Sequence, residues 1–249
     1  MGSALLSSWA TSKNYSITVV DPITHILLKK KFKNNSINFK KSIQQIDKFT
    51  NFDFIIFATK PNDLDLALKE FKNINFNRKT SIISIVAGKK INIFQKKFIE
   101  IKYFYRVMPN MPAAIGQSMN CIVSNNNTDK YNNKFSKLFS FSGKCLFLND
   151  ENQIDMATAI SGSGPGFVFN IIDAMEKSAI NLGFNKNVAK KLVIQTFKGS
   201  INLILKNNAD AQTLVNMVAT KGGTTEAGLK IMKKNNFNKI FINLTKASY

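Results

Sequence analysis

The sequence predicts a doubly wound α/β domain over residues 1–149, followed by an all-helical domain over residues 150–249. Three observations carry this reading. First, "DFIIFATKP" (53–61) and "TSIISIVAG" (80–88) are near-continuous apolar runs of strand length, stopped by Pro or Gly. A parallel strand covered on both faces has that composition. Second, helical spacing separates such runs through residue 149, as in a sheet wound with helices on both sides. Third, the period beyond residue 150 is helical in every segment.

In chain order, "MGSALLSSWA" (1–10) reads as the opening turns of a helix. "SITVVD" (16–21) is a strand ending in an acid, and "ITHILLKKKF" (23–32) is a short helix or turn. "KKSIQQIDKF" (40–49) has helical spacing through Ile43, Ile46 and Phe49. "NDLDLALKEFKN" (62–73) is amphipathic and starts on Asn62 and Asp63, both good capping types. A helix is expected near 90–98, then a third strand in "KYFYRVMPN" (102–110). "SMNCIVS" (118–124) and "KCLFLN" (144–149) bracket the helical "KYNNKFSKLFSF". In the second half "ENQIDMATAI" is helical, "SGSGPG" (161–166) breaks the pattern, and "FVFNIIDAMEKSAINLG" (167–183) is a long helix ending on Gly183. "NKNVAKKLVIQTFKGSINLILKN" (185–207), "DAQTLVNMV" and "TEAGLKIMKKN" follow. "FVFNII" is apolar nearly all round, more than one small bundle hides, so this half is expected to pair with another chain.

Composition narrows the function classes. A chain of 249 residues with 44% hydrophobic content and 21 Phe builds a core and is not disordered. No apolar run approaches the roughly 20 residues that cross a bilayer, so no membrane partner is expected. Cys121 and Cys145 form no CxxC, and His25 is the single histidine, which leaves no metal constellation. A reducing, cytoplasmic setting is the default. The net charge is +20, yet only Arg78 and Arg106 among the 35 basic residues are arginine. A nucleic-acid site would lean on Arg with interleaved aromatics. Here Lys is scattered and accompanied by Asn, as A/T-rich codons produce, so no specific nucleic-acid partner is expected.

Several stretches carry chemistry. In a dinucleotide-binding unit the third glycine of G-x-G-x-x-G opens the first helix, and an acid about 20 residues on meets the adenosine ribose. Gly2 opens a helix and Asp21 ends the next strand, 19 residues later. Asp21 before Pro22 also suits an ordinary turn. "ATKP" (58–61) and "VAG" (86–88) end parallel strands, where ligands of such sheets lie, although plain strand-to-helix turns look the same. "RVMPNMPAAIGQSMN" (106–120) makes a rigid loop at a third strand's end. "SGSGPG" and "KGGTT" (221–225) sit at helix N-termini, where free N–H groups favour an anion such as a carboxylate.

Together "RVMPNMPAAIGQSM", "TAISGSGPGFVF" and "MVATKGGTTEAGLKIM" resemble hallmark stretches of pyrroline-5-carboxylate reductases, with "ATKP" and "VAG" in matching order. The resemblance covers essentially the whole chain. It implies a Rossmann-type N-terminal domain, an all-helical C-terminal dimerisation domain, and reduction of a cyclic imine to L-proline by NADPH or NADH. It also implies an intertwined homodimer, often built into a larger ring. By the same resemblance Thr225 would hydrogen-bond the substrate near its ring nitrogen. Thr220 and the backbone of Gly222, Gly223 and Thr224 would hold the carboxylate. Gly2, Asp21, Ala58, Lys60, Pro61, Ala87, Gly88, Met108, Pro109 and Asn110 would surround the cofactor. Thr220 stands where the family usually has Ser, Lys221 for Pro, Gly166 for Ala and Phe167 for Tyr.

The chemistry agrees with these parts. Hydride transfer to an imine needs a positioned nicotinamide, an anion anchor and a donor near nitrogen. An iminium is already electrophilic, so no strong general acid is required. Asp21 favours the free 2′-hydroxyl of NADH, since an acid repels a 2′-phosphate, while Lys29 to Lys31 could compensate. In the resembling family a strand and two further glycines precede the residue matched by Gly2. The expectation is therefore a start codon assigned too late, with a first strand missing from the domain and two facing strand edges without partners; were the 249 residues the whole protein, poor stability and weak cofactor binding would follow. The alternative is an impaired oligomeric homologue without a complete cofactor site.

Overall fold

The computed structural model describes residues 1–33, 36–47, 51–71, 77, 79–126 and 129–249. Strand β4 (Ser81–Ser84) is buried at every residue and lies between β3 (Phe54–Phe57) and β5 (Tyr103–Met108), both parallel to it. Its apolar run has no polar face because both faces are covered. Successive side chains leave a strand on opposite sides, so Ile82 joins one core and Ile83 the other, as do Phe104 and Tyr105. One core adds Leu64 and Leu68 of α3 (Leu64–Glu70), Phe94 of α4 (Ile91–Lys97) and Ile154 of α6 (Glu151–Ala157). The other takes Leu5 and Trp9 of α1 (Gly2–Trp9), one turn apart, and Phe135 and Phe139 of α5 (Asp129–Phe139). Full burial of each such side chain contributes about 1.5–3 kcal/mol. Trp9 satisfies its indole by donating to the Leu138 carbonyl at 2.9 Å.

The sheet is not parallel throughout. β6 (Ser118–Ser124) runs antiparallel to β5, and β7 (Gly143–Phe147) runs parallel to β6. The link from β5 to β6 holds a 3₁₀ turn, Met111–Ile115, and is too short for a crossover helix. Only an antiparallel neighbour is reachable over such a link. α5 then supplies the crossover that makes β7 parallel to β6.

Strands β1 (Ile17–Val20) and β2 (Ile37–Lys40) form a separate parallel pair with α2 (His25–Lys31) between them in sequence. Among the described residues β1 has only β2 as neighbour and β3 only β4, so each keeps one open edge. β2 was not expected from sequence. The helix expected over 40–49 is instead a 3₁₀ turn, Ile43–Gln45, and Ile46 is extended. Phe49 of that expectation lies outside the described residues. So do Arg78 and the last two positions of the helix expected over 62–73.

α6 runs into a π turn, Thr158–Gly162, and α7 (Gly164–Asn181) starts inside "SGSGPG" rather than after it. Pro165 in the first helical turn lacks only an N–H that has no partner there anyway. Residues 1–163 form one compact unit and 164–249 a second. The first thus extends past the change of period at 150, because Ile154 is fully buried in its core and the α6 carboxylates pair with Arg106 of β5.

The second unit comprises α7, α8 (Lys186–Asn207), α9 (Ala211–Val218), α10 (Thr224–Lys234) and α11 (Phe237–Ser248). Its apolar residues stay largely uncovered: Phe169, Leu182, Leu205, Met217 and Ile231 are exposed, while Ala189 and Val193 are buried. A unit with so little core of its own is stabilised by association. Light scattering across the micromolar range is expected to give at least twice the chain mass of 27.9 kDa.

Candidate active site

The parallel register aligns Phe57 with Ser84 and Ser84 with Arg106, so the segments that follow leave the same edge of the sheet. Ala58, Lys60 and Pro61 follow β3, Ala87 and Gly88 follow β4, and Met108, Pro109 and Asn110 end or follow β5. Ligands of open α/β sheets bind beyond this carboxyl edge. Ala58, Lys60, Pro61, Ala87 and Gly88 are exposed there, Met108 is half-buried, and Pro109 and Asn110 are buried.

Gly2 brings the start of α1 onto the same edge. A Cβ at Gly2 would stand 3.1 Å from the Ala58 Cβ, tighter than ordinary contact. The helix is held there by Ser8, whose hydroxyl donates to the Ala113 carbonyl, and by the Trp9 bond to Leu138. The hydroxyl of Thr59, between Ala58 and Lys60, is buried with no hydrogen-bond partner. A helix start pressed onto the end of β3 and an unsatisfied hydroxyl beside it suit a polar, phosphate-bearing ligand such as a dinucleotide. Thr59 was not singled out from sequence, because a hydroxyl lacking a partner is a property of packing alone.

Asp21 lies at the end of β1, in the two-stranded sheet. Its Oδ1 accepts from the backbone N–H of Ile23 at 2.8 Å and of Thr24 at 2.6 Å, and its Oδ2 accepts from the Thr24 hydroxyl at 2.6 Å. Burial alone would raise its pKa, but the hydrogen bonds from Thr24 and Ile23, with the charge of His25, outweigh that and lower it. The turn reading of Asp21 therefore holds, with one Oδ2 lone pair left over. At the opposite end of α2, Lys31 Nζ sits 3.2 Å from the Ser3 hydroxyl in the first turn of α1.

Asn110 is bonded on both sides of its amide. Its side chain is engaged within the protein: Oδ1 accepts from Met119 N–H at 3.1 Å and Nδ2 donates to the Ser161 carbonyl at 2.9 Å. Arg106, 2% exposed, pairs with Asp155 at 2.7 Å and Glu151 at 3.6 Å.

In the second unit "KGGTT" forms the turn into α10. Gly222 has φ +79, and a Cβ at Gly223 would stand 2.8 Å from the Thr220 hydroxyl and 3.1 Å from its carbonyl oxygen. Gly222 is favoured by its backbone conformation, with open space around it, and Gly223 by crowding against Thr220. The Gly223 amide donates to the Thr220 carbonyl at 3.0 Å, and the Gly222 amide donates to Glu226 Oε2 at 2.8 Å. In this structure these two N–H groups are engaged within the turn. The donors left are the amides of Thr224 and Thr225, which precede the bond from the Ala227 amide to the Gly223 carbonyl, and their exposed hydroxyls. Thr220 is exposed beside them. A shallow concavity of about 550 Å³ along α8, lined by Lys190, Lys191 and Ile194 among others, holds none of these residues. Among the described residues no group of three His, Cys, Asp or Glu could hold a metal, and no helix is long and apolar enough to cross a membrane.

Comparison with known proteins decides the family. Residues 151–249 match the family model for pyrroline-5-carboxylate reductase dimerisation. Over 194 residues the chain is 33% identical to pyrroline-5-carboxylate reductase 2 of Bacillus subtilis (strain 168), covering 78% of this chain and 69% of that one. The chain belongs to the pyrroline-5-carboxylate reductase family. The Aquifex aeolicus (strain VF5) pyrroline-5-carboxylate reductase is 32% identical over 188 residues, 75% of this chain and 69% of that one. The crystal structure of Plasmodium falciparum pyrroline carboxylate reductase with NADP bound superposes with a TM-score of 0.85 at 27% identity, covering 100% of this chain and 91% of that one. The fold class expected from sequence, an α/β Rossmann-type domain with an all-helical dimerisation domain, is the fold of this family.

The Asp21 turn yields a pH test. A carboxyl whose pKa is lowered on folding adds stability above its unfolded pKa and loses it as pH falls through the folded value. Asp21→Asn is expected to melt below the native chain at pH 7, with the gap closing below about pH 4, the ordinary carboxylate range. Melting temperature against pH reads this directly.

Proposed function

We propose that this chain reduces 1-pyrroline-5-carboxylate to L-proline with NADPH or NADH, the last step of proline biosynthesis. The observation that carries the reading is the "KGGTT" turn of a reductase-family chain, where free amides and hydroxyls of Thr224 and Thr225 gather at the positive end of α10. That set of donors suits a small carboxylate with a polar atom nearby.

The residues divide by role. Thr220 and the Thr224 amide and hydroxyl hold the substrate carboxylate, and Gly222 and Gly223 shape the turn that presents them. The carboxylate is two bonds from the ring nitrogen, so anchoring it orients the imine. Thr225 donates its hydroxyl to that nitrogen as it gains electron density. The iminium is electrophilic already, so this neutral donor suffices and no strong acid is needed. Ala58, Lys60, Pro61, Ala87, Gly88, Met108 and Pro109 bound the cofactor along the sheet edge, and Gly2 opens the helix at its phosphates. The reduced nicotinamide, when bound, supplies the hydride.

Cofactor preference turns on two charges. Asp21 stays ionised and opposes a 2′-phosphate, which favours NADH. Lys31 at Ser3 pulls the other way, and the Plasmodium falciparum relative was solved with NADP. The uncovered helices of the second unit support a homodimer, extended to a larger ring, and the substrate chemistry suits the cytoplasm.

The test is oxidation of NADPH or NADH on addition of 1-pyrroline-5-carboxylate. Loss of one positioned donor to developing charge typically costs about 100-fold or more. Thr225→Ala is expected to lower kcat/KM by about that factor, while Thr225→Ser, which keeps the hydroxyl, stays within about tenfold of the native chain. Equal rates for native and Thr225→Ala would remove Thr225 from the mechanism.

A further inference from the structure

Two independent ties hold the segment after β7 against the carboxyl end of β5. Arg106 pairs with Asp155 and Glu151 of α6, and Ile154 of the same helix is fully buried. The π turn after α6 has a different tie. Its Ser161 carbonyl accepts from Asn110 Nδ2 at 2.9 Å, and the Ser161 hydroxyl lies 3.6 Å from Cys121 Sγ. Asn110 is itself locked. Its Oδ1 accepts from Met119 N–H, its backbone N–H donates to the Ser118 hydroxyl at 3.0 Å, and it is 8% exposed. The two partners also fix which way the amide points, since Met119 offers only a donor and Ser161 only an acceptor. A π turn is uncommon and is frequently found at functional positions.

We infer that Asn110 is a positioning residue for hydride transfer. Through Ser161 it holds the π turn against the sheet edge on which the cofactor lies. It acts through that bond rather than by touching cofactor or substrate. α6 is anchored without it, so losing the Asn110 amide releases only the turn. The inference rests on the reductase reading above.

Asn110→Asp tests it. The carboxylate keeps the shape and still accepts from Met119, but it offers no proton to the Ser161 carbonyl. Expected is a fall in kcat of about tenfold or more, as misplacement near a reacting centre produces. The substrate KM and the NADPH dissociation constant, read by fluorescence titration, stay within about threefold, well inside that loss. The isotope effect with deuterated NADPH rises. In the free protein, amide exchange accelerates over residues 158–163 and not over 151–157, since local opening follows the contacts that are lost. Asn110→Ser, which also lacks the donor, gives the same split should the Asp variant fail to fold. A dissociation constant rising in step with the loss of kcat/KM overturns the inference, because Asn110 is then a cofactor contact. Unchanged kcat in a folded variant with faster exchange at 158–163 overturns it too. A native chain that oxidises neither cofactor with the imine fails the reductase reading itself, and the inference with it.

Discussion

The first unit depends on a buried charge. Arg106 sits in the middle of β5, 2% exposed, with Asp155 at 2.7 Å and Glu151 at 3.6 Å. A buried guanidinium without partners costs several kcal/mol. α6 therefore meets the sheet through this charge as well as through its apolar contacts. Glu151 extends the tie, since its Oε1 also accepts from the Ile91 N–H at the start of α4 at 2.9 Å. One arginine thus ties together β5, α6 and, through Glu151, the entry to α4. The loop that follows β5 and the π turn that follows α6 are the next residues along each chain direction. They are tied to each other separately, by the bond from Asn110 Nδ2 to the Ser161 carbonyl.

Much of this fold is legible in the sequence because burial on both faces leaves an unmistakable composition. "FIIF" and "SIIS" are strands wherever they occur in such a pattern, and Leu5 and Trp9 mark the buried side of α1. What escapes notice is what depends on partners. β2 is a four-residue "INFK" that alternates weakly and is held by pairing with β1. The direction of β6 follows from the length of the loop before it rather than from its own residues. "KKSIQQIDKF" has helical spacing, but its three described turn residues close only a 3₁₀ bond before Ile46 becomes extended.

The candidate site divides the same way. At Gly2, Gly222 and Gly223 the reasons for glycine are steric or conformational: a neighbouring Cβ, a positive φ and a neighbouring carbonyl. The occupation of donors and acceptors was not legible. Glu226 takes the Gly222 amide, and Thr24 with Ile23 takes most of the Asp21 carboxylate. All four bonds are local, yet none follows from residue type, because each depends on how a turn closes. Asn110 is the sharpest case. Its place after a strand end suggests ligand contact, whereas its amide is committed to two backbone groups.

In the proposed reaction hydride passes from the nicotinamide to the imine carbon of 1-pyrroline-5-carboxylate. Supplying NADPH deuterated on the nicotinamide C4 face that is transferred tests it most directly, with the product read by mass spectrometry and NMR. Expected is proline carrying one deuterium on the ring carbon bonded to nitrogen and remote from the carboxylate. Proline without deuterium, or label at any other carbon, from an enzyme that consumes both deuterated faces of the cofactor in separate trials, would contradict it.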